Sequence, residues 1–365
     1  MKIAVTGAGG LIGFHVLCRL QAEGFGELVP LSTADFQDPA LLAEKLRGCE
    51  VVVHTAALNR GAPEAVEAEN RSITDRLVAA LGTAEKLKQI FFTSSVKRAD
   101  DNAYGAMKRY AENKLAQVAA TRGARFVNWI LPHVFGEQGK AFSNSAVHTF
   151  CYQWAKNEPP AEVQATASLE LLHAQDLAEE MVAAIRHPGA EERRVAGRAI
   201  SVGETNERIR ALAERYRSGV LPDLNDPLDL ALFNTLRSFF YLQEPRLKIE
   251  ERRDERGVLF EAVRTTGMGQ AFVSWTEPGF TRGNHFHLRK IERFCVLEGE
   301  AEIQVRRLFS SETQTFRNQG RPLMLDIPTL HTHNIRNVGP RPLLTLFWAN
   351  EIFDPERPDT YREVV

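Results

Sequence analysis

Long apolar runs and paired cysteines are both missing from this 365-residue chain. No apolar stretch approaches the roughly 20 residues that a membrane-spanning helix needs. The first predicted strand begins at Lys2, which leaves no room for a signal peptide. The four cysteines are scattered without CxxC spacing, so buried free thiols are favoured over disulfides or a cysteine metal site. We therefore predict a cytoplasmic protein that does not bind a membrane.

An excess of charge of one sign is also lacking. The chain has 45 Lys and Arg against 47 Asp and Glu, a formal net charge of −2. This balance predicts no general attraction to nucleic acid or anionic lipid. With 44% hydrophobic and 25% charged residues, the chain is typical of globular proteins and long enough for two domains with separate cores.

The chain changes character near residue 245. Before it, apolar runs such as "KIAVTG", "EVVVHTAA" and "QIFFTSS" alternate with helical patterns, which predicts an α/β fold with a Rossmann-type doubly wound parallel sheet. After it, short alternating stretches broken by Gly and Pro predict the antiparallel strands of an all-β sandwich or barrel. We therefore place two domains at residues 1–245 and 246–365, with helices over 203–245 completing the first.

A glycine-rich stretch, Thr6-Gly7-Ala8-Gly9-Gly10-Leu11-Ile12-Gly13, follows the first predicted strand and opens a helix. In this setting Gly7 permits a tight turn, Gly10 allows backbone to approach a pyrophosphate, and Gly13 allows the helix to pack close to the strand. Free N–H groups at the helix start would face the phosphates.

A second stretch, "FFTSSVKRADDNAYGAMKRYAENKL", carries groups suited to proton transfer. Tyr104 and Lys108 are four residues apart at the start of a predicted helix and so share one face. An ammonium beside a phenol favours the phenolate, which predicts a tyrosine pKa lowered from about 10 toward neutrality. Ser95, at the end of the preceding strand, could bind the same oxygen. This set predicts proton exchange with a carbonyl or alcohol oxygen.

These motifs resemble the extended short-chain dehydrogenase/reductase (SDR) family over about residues 1–245, together with "HTAA" and "LPHVFG". The resemblance implies that Tyr104, Lys108 and Ser95 are catalytic, with Ser94 as the alternative serine, and that Asn70 supports the active-site helix. Relatives carry an arginine where this chain has Ile130. The implied cofactor contacts are Gly7, Gly10, Leu11, Ile12, Gly13, Ser32, Asp35, Phe36, Ala56 and Lys108.

The choice of cofactor depends on the end of the second strand. In "LVPLSTADF", Ser32 and Thr33 offer hydroxyls that can bond a phosphate, and no acid stands immediately after the strand to bind the ribose 2′-OH. Together with the resemblance, this favours NADPH over NADH.

The later sequence "GNHFHLRKIERFCVLEG" resembles the first motif of the cupin family, and "IPTLHTHNIRN" resembles the second. The implied metal ligands are His285, His287, Glu292 and His333. Three imidazoles and one carboxylate suit zinc, with Fe, Mn or Ni as alternatives. Leu330 replaces the usual glycine of the second motif. His331 beside it is interpreted as a surface or supporting residue, or alternatively as an acid/base.

From end to end, the chain resembles the CapF-like family of bifunctional capsular polysaccharide enzymes, on stretches that include "LNR", "NAYGAMK", "RDERG", "GNHFH" and "WANEIFDPERPDTY". This implies a homodimer acting on a UDP-linked 4-keto amino sugar. The cupin would epimerise C3 of a UDP-2-acetamido-2,6-dideoxy-4-hexulose. The reductase domain would then use NADPH to reduce the C4 ketone to a UDP-2-acetamido-2,6-dideoxy-L-talose, on the N-acetyl-L-fucosamine route to capsule or O-antigen.

Two alternatives stay open. The first is a single-function nucleotide-4-keto-sugar reductase whose cupin holds a structural metal and forms a dimer. The second is a non-catalytic protein that binds the cofactor and regulates another process. The intact Tyr104 and Lys108 favour turnover over the second alternative.

Overall fold

The computed structural model describes residues 1–58, 60–143, 145–187, 189–244, 246–249, 252–254, 257–260, 262–267 and 269–365. Asn59 of "LNR" and residues 255–256 of "RDERG" lie outside this part of the chain. The chain folds into two compact units. The first unit comprises Met1–Thr149 with Gln164–Glu204, and the second comprises Phe150–Val163 with Thr205–Val365.

The helices include two, Ala146–Ala155 and Val202–Arg217, that cross the division between the units. The helices are α1 Leu11–Ala22, α2 Thr33–Gln37, α3 Pro39–Leu46, α4 Pro63–Leu81, α5 Ala103–Arg122, α6 Ala146–Ala155, α7 Ala174–Arg186, α8 Val202–Arg217 and α9 Pro227–Tyr241, with a 3₁₀ turn at Val96–Ala99. Within the described ranges, none of the helices has the length and apolarity that a membrane crossing requires.

The first unit is built around a six-stranded parallel sheet in the order β2-β1-β3-β4-β5-β8. A smaller sheet has the order β6-β7-β9. The strands are β1 Lys2–Thr6, β2 Glu27–Leu31, β3 Val51–His54, β4 Gln89–Ser95, β5 Arg125–Leu131, β6 His133–Phe135, β7 Ser168–His173, β8 Glu192–Arg194 and β9 Arg198–Ser201.

The central strands are buried on both faces, which explains their continuous apolar sequences. Ile3 and Val5 of β1 point into one apolar cluster, whereas Ala4 between them points into another. Helix α1 contributes to the first cluster and α4 to the second. The predicted doubly wound parallel sheet is thus confirmed.

The second unit is dominated by antiparallel strands. They form sheets in the orders β12-β19-β14-β17 and β16-β15-β18-β13-β20, and β10 pairs with β11. The strands are β10 Arg252–Asp254, β11 Gly257–Leu259, β12 Gln270–Thr276, β13 Thr281–Phe286, β14 Glu292–Glu298, β15 Ala301–Arg307, β16 Thr313–Arg317, β17 Leu323–Ile327, β18 His331–Asn337, β19 Leu343–Ala349 and β20 Tyr361–Arg362.

The two larger antiparallel sheets share one apolar interior. Phe294 and Phe347 come from the four-stranded sheet, and Ile303 and Ile335 from the five-stranded sheet. Alternate residues of each strand therefore point into a common core, as in a sandwich or barrel. The predicted all-β fold of this part of the chain is confirmed.

Most of α8 and all of α9 belong to the second unit, although the sequence pattern suggested that they complete the first. Their contacts explain this assignment. The Tyr216 hydroxyl donates to the Asp326 carboxylate at 2.6 Å, and Arg237 donates to the Ile327 carbonyl at 3.0 Å. The predicted boundary at residue 245 separates the functional domains rather than these compact units, and it stays a prediction.

Candidate active site and candidate metal centre

The glycine-rich turn joins β1 to α1 in the first unit. Gly7 has a positive φ of 65°, and a Cβ there would lie 2.9 Å from the Ala56 Cα. A Cβ on Gly13 would lie 2.4 Å from the Gly7 carbonyl oxygen, whereas one on Gly9 would meet nothing within 4 Å. Side chains are therefore excluded at Gly7 and Gly13, because the turn and helix pack directly against neighbouring backbone.

The start of α1 is left without a side-chain cap. Gly10 occupies the N-cap position, and its own N–H donates to the Gly7 carbonyl at 2.8 Å. Leu11 and Ile12 follow in the first helical turn, where N–H groups have no partner within the helix. This arrangement suits binding of a phosphate by backbone.

The Thr6 hydroxyl connects the glycine turn to the next strand. It accepts hydrogen bonds from the backbone N–H groups of Thr55 and Ala56 at 3.2 and 3.1 Å, and its oxygen lies 2.7 Å from His54 Nδ1. Burial, aided by the charge of Lys108, lowers the pKa of His54 to about 3, so a neutral imidazole can accept the hydroxyl hydrogen. Sequence reasoning missed this role of Thr6, although "HTAA" marked the strand that it contacts.

The predicted adenine-side residues meet at the end of β2. The Asp35 carboxylate accepts hydrogen bonds from the Ser32 N–H at 2.7 Å, from the Ser32 hydroxyl at 2.9 Å and from Lys45 Nζ. Burial acts to raise the pKa of Asp35, but these partners outweigh it and hold that pKa below its usual value. The Phe36 side chain is buried in the apolar core, so its backbone is the part left for a ligand.

The structure brings Tyr104, Ser95 and Lys108 together at one end of the parallel sheet. Ser95 lies close enough to the Tyr104 hydroxyl to act on its pKa. Lys108 Nζ donates to the Thr93 carbonyl at 2.9 Å and lies 5.8 Å from the centroid of the Tyr104 ring. Ser94, the alternative serine, is buried and donates to the Glu112 carboxylate. The geometry thus favours Ser95 as the partner of the tyrosine.

The pKa of Tyr104 differs from the sequence-based expectation. Burial raises it, and Ser95 acts in the opposite direction without overcoming burial. Burial also lowers the pKa of Lys108 to about 8, against the opposing charge of Glu112. Removal of both groups from water therefore disfavours their charged forms and outweighs the expected effect of the ammonium on the phenol.

Asn70 stabilises the loop after β3. Its side chain donates to the carbonyls of Leu58 and Val66 at 2.8 and 2.7 Å and accepts from the Leu58 N–H at 2.8 Å. These bonds fix the loop to α4. The predicted support of the active-site helix stays a prediction.

The loop that contains "LPHVFG" has a polar anchor that sequence reasoning missed. Ile130, where the family resemblance implies an arginine, is buried and apolar. Glu137 is buried and lies one residue beyond the motif. Its carboxylate Oε2 is 3.1 Å from His173 Nε2, and its backbone carbonyl oxygen is 2.9 Å from His15 Nε2. No local signal connects these three residues, because they are far apart in the sequence.

The four predicted metal ligands converge in the second unit. One ligand atom from each of His285, His287, Glu292 and His333 lies within 4.8 Å of the others. Glu292 Oε2 is 3.1 Å from His287 Nε2, 3.2 Å from His333 Nε2 and 3.9 Å from His285 Nε2. Antiparallel pairing of β13 with β18 sets His285 opposite His333.

The hydrogen bonds behind these imidazoles support a cation site. His287 Nδ1 lies 2.5 Å from the Asp359 carbonyl, and His333 Nδ1 lies 3.2 Å from the His331 carbonyl. A carbonyl only accepts, so each Nδ1 carries a hydrogen. When the rings are neutral, each Nε2 therefore directs a lone pair toward the Glu292 carboxylate. Facing lone pairs repel unless a proton or a cation lies between them, and this donor set fits zinc.

The pKa shifts describe the same crowded site. Burial lowers the pKa of His333 to about 4, despite the favourable charge of Glu292. Burial also acts to lower the pKa of His287, but the Glu292 carboxylate and the hydrogen bonds raise it overall. Burial acts to raise the pKa of Glu292, yet the three imidazoles hold it well below its usual value. Glu292 is therefore anionic and available as a ligand.

Two departures in the second histidine motif have structural counterparts. Leu330 is fully buried with a positive φ of 63°, and its N–H donates to the His287 carbonyl at 2.8 Å. The turn thus keeps a backbone conformation that glycine favours. His331 lies outside the ligand cluster, with its ring centroid 5.5 Å from that of Tyr241.

Together the doubly wound sheet, the glycine turn and the Tyr-Lys pair define an extended SDR, to which an antiparallel β unit is joined. Comparisons with known proteins agree. Residues 3–203 match the "NAD dependent epimerase/dehydratase family", and residues 252–361 match the "Polysaccharide biosynthesis C-terminal domain".

Two full-length relatives narrow the assignment. The chain is 30% identical over 366 residues to a UDP-2-acetamido-2,6-beta-L-arabino-hexul-4-ose reductase from Pseudomonas aeruginosa, across 99% of this chain and 98% of that protein. It also resembles the crystal structure of the capsular polysaccharide assembling protein CapF from Staphylococcus aureus, with 28% identity, a TM-score of 0.63 and full coverage of both chains.

A third comparison supports the fold alone. WbmF from Bordetella bronchiseptica, in complex with NAD+, is 16% identical with a TM-score of 0.56, across 66% of this chain and 92% of that one.

The chain belongs to the NAD dependent epimerase/dehydratase family and is a CapF-like capsular polysaccharide enzyme. Its cofactor is accordingly a nicotinamide dinucleotide.

Proposed function

We propose that this protein is a bifunctional UDP-sugar enzyme. The antiparallel unit, interpreted as a metal-binding cupin, inverts C3 of a UDP-2-acetamido-2,6-dideoxy-4-hexulose. The parallel-sheet unit then reduces the C4 ketone with NADPH to a UDP-2-acetamido-2,6-dideoxy-L-talose, for capsule or O-antigen. The observation that carries the proposal is that one chain contains both the Tyr104-Lys108-Ser95 group and the four-ligand cluster.

In the reductase step, the protein supplies a proton and orients the ketone. When bound, the reduced nicotinamide supplies a hydride to C4. Tyr104 donates its hydroxyl proton to the carbonyl oxygen, Ser95 hydrogen-bonds the same oxygen, and Lys108 stabilises the resulting phenolate. The raised pKa of Tyr104 keeps the phenol protonated and ready to donate at neutral pH. These three residues are the catalytic residues of the proposal.

In the epimerase step, the C4 ketone makes the C3 hydrogen acidic. A base removes that proton, the electron pair is delocalised onto the C4 oxygen as an enolate, and a proton returns to the opposite face of C3. His285, His287, Glu292 and His333 would hold a divalent cation, with zinc favoured by the donor set. When bound, such a cation supplies Lewis-acid polarisation of a substrate oxygen. Reduction of the ketone then ends the acidity of C3.

The preference for NADPH is supported by charge at the end of β2. Both Asp35 oxygens are occupied, one by Ser32 and the other by Lys45 Nζ. Because this carboxylate is already paired, it is poorly placed to bind a ribose 2′-OH, and Lys45 adds positive charge for a 2′-phosphate. We expect a higher kcat/KM with NADPH than with NADH, measured at saturating sugar.

A homodimer is part of the same proposal, as is action in the cytoplasm. β12 is an edge strand of its sheet among the described strands, and its Phe272, Val273 and Trp275 are 42%, 47% and 62% exposed. A second copy covering this edge would remove apolar surface and unpaired backbone groups from water. Light scattering of the purified chain would give the mass directly.

The testing experiment is NMR of the UDP-4-hexulose incubated with the protein in D₂O, first without and then with NADPH. Deuterium at C3 before NADPH is added, followed by NADPH oxidation, is the expected result. Reduction without exchange would support the alternative of a single-function reductase with a structural cupin. Neither exchange nor reduction, in a chain that still binds NADPH, would support the non-catalytic alternative.

A further inference from the structure

The second unit contains a cavity of about 150 Å³ that neither proposed reaction uses. Its walls come from α8, α9, the segment after α9 and the end of β17. Four of the lining side chains are cationic and two are carboxylates, and aromatic rings complete the wall. The lining residues are Tyr216, Arg217, Arg237, Phe240, Tyr241, Glu244, Arg246, Leu247, Lys248, Asp326 and Pro328.

Arg237 is the buried cation of this cavity. It lies on α9 with 3% of its surface exposed, and one terminal nitrogen donates to the Ile327 carbonyl at 3.0 Å. Its Nε has no hydrogen-bond partner among the described residues. A buried guanidinium with an unused N–H is costly, because it has given up water without full replacement.

The nearest buried carboxylate, Asp326, is already satisfied. Arg293 donates to both of its oxygens, at 2.6 and 3.0 Å, and the Tyr216 hydroxyl donates at 2.6 Å. One Asp326 charge therefore faces two buried guanidinium groups, those of Arg293 and Arg237. The buried part of the site carries an excess positive charge, which an anion would balance.

The rim of the cavity adds to this excess. Arg246 is exposed, with its backbone held by a bridge to Leu325 and by a bond from its N–H to the Glu244 carboxylate at 3.0 Å. Its guanidinium carbon lies 5.7 Å from the Phe316 ring centroid. An arginine fixed at its backbone, at the mouth of a cavity with a buried arginine, is arranged for a group with several acceptor oxygens.

We propose that this cavity binds a phosphate-sized dianion, either free phosphate or the terminal phosphate of a nucleotide. A volume of about 150 Å³ is below the roughly 300–1,000 Å³ of pockets that enclose larger ligands, so the cavity suits a small anion rather than a whole nucleotide sugar. The guanidinium groups of Arg237 and Arg246 are the donors. Because both lie within the second unit, an occupant stabilises that unit without taking part in either reaction.

The test uses the full-length protein without sugar or NADPH. Calorimetric titration with inorganic phosphate, at constant ionic strength set with chloride, is expected to show saturable binding. Arg246→Gln is expected to weaken that binding about tenfold or more, since it removes one charge-assisted donor. Arg210→Gln removes the same charge from the surface of α8, where Arg210 pairs with Glu207 and Glu214, and is expected to change nothing.

A second titration with UDP separates the two sources of the anion. UDP binding that is tighter than phosphate binding and weakened by Arg246→Gln would identify a nucleotide-borne phosphate. Phosphate binding with no effect of the substitution on UDP would identify free phosphate. The proposal is overturned by the absence of saturable phosphate binding, or by equal loss in the Arg246 and Arg210 variants. Neither result depends on turnover.

Discussion

The two units build their polar sites in different ways. In the parallel-sheet unit, Gly7, Gly10 and Gly13 expose backbone, and the proposed catalytic side chains lie where strands end and helices begin. In the antiparallel unit, the proposed metal ligands are side chains that project between two sheets, and the pairing of His285 with His333 sets the separation of these two. A shift of one residue in that pairing would turn His333 to the other face.

This difference teaches where each site is vulnerable. The first depends on the absence of side chains at a few positions and on one proton donor. The second depends on register and on hydrogen bonds that set imidazole tautomers. A change in one unit should therefore leave the chemistry of the other intact.

The largest expected effect comes from Tyr104→Phe. Loss of the general acid should lower kcat for ketone reduction by about 10²- to 10⁴-fold, while exchange of the C3 hydrogen in D₂O continues. Both rates can be followed in one NMR experiment. Tyr110→Phe is the control, since Tyr110 lies on the same helix but bonds Asp75 at 2.7 Å. Loss of C3 exchange in the Tyr104 variant would contradict the independence of the two sites.

The reciprocal change is His333→Gln. Removing one imidazole should lower the affinity for bound metal by about tenfold to a hundredfold or more, because even residues that only support ligands have effects of this size. Metal content of the purified protein, measured by atomic emission, checks this loss, and NADPH binding should be unchanged. His187→Gln replaces an exposed histidine of the first unit and should retain the metal. Full metal content in the His333 variant would show that this residue is not a ligand.

The glycine turn can be tested by a matched pair. Gly13→Ala places a Cβ 2.4 Å from the Gly7 oxygen, whereas Gly9→Ala places one in open space. The first substitution should destabilise the parallel-sheet unit by about 1–3 kcal/mol and weaken NADPH binding, and the second should do neither. The relevant unfolding transition is the one that NADPH shifts upward. Equal behaviour of the two variants would argue against close packing at Gly13.

The smallest expected effect is a difference of about 1 kcal/mol between two variants of Leu330. Leu330→Ala should destabilise the antiparallel unit by about 2–5 kcal/mol because it empties a buried position. Leu330→Gly loses the same contacts, but glycine adopts the positive φ without the strain of about 1 kcal/mol that a Cβ causes. The glycine variant should therefore be no less stable than the alanine variant. At Leu325, inside β17, glycine should be worse than alanine. Denaturant unfolding of all four variants decides between these orders.

Much of the fold and of the candidate sites could be predicted. Continuous apolar runs correctly predicted the parallel sheet, because its strands are buried on both faces. Alternation of apolar and polar residues correctly predicted the antiparallel sheets, because their strands are buried on one face. The spacing of Tyr104 and Lys108 placed both on one helical face. The two histidine motifs contained all four residues of the cluster, whose role as ligands stays a prediction.

Other features could not be predicted from neighbouring residues in the sequence. The contact of Ser95 with Tyr104, and that of Ser94 with Glu112, depend on how α5 packs beside β4. The expected lowering of the Tyr104 pKa was wrong because the degree of burial cannot be read from the spacing of two residues.

The sequence by itself determined the type of each unit and the chemical groups available to it, since periodicity and motif spacing are short-range properties. Only the tertiary structure decided that Asp359 fixes the tautomer of His287, and that Arg237 is buried with an unused donor. These contacts join residues far apart in the chain. Their formation depends on the packing of whole strands and helices, which no local pattern encodes.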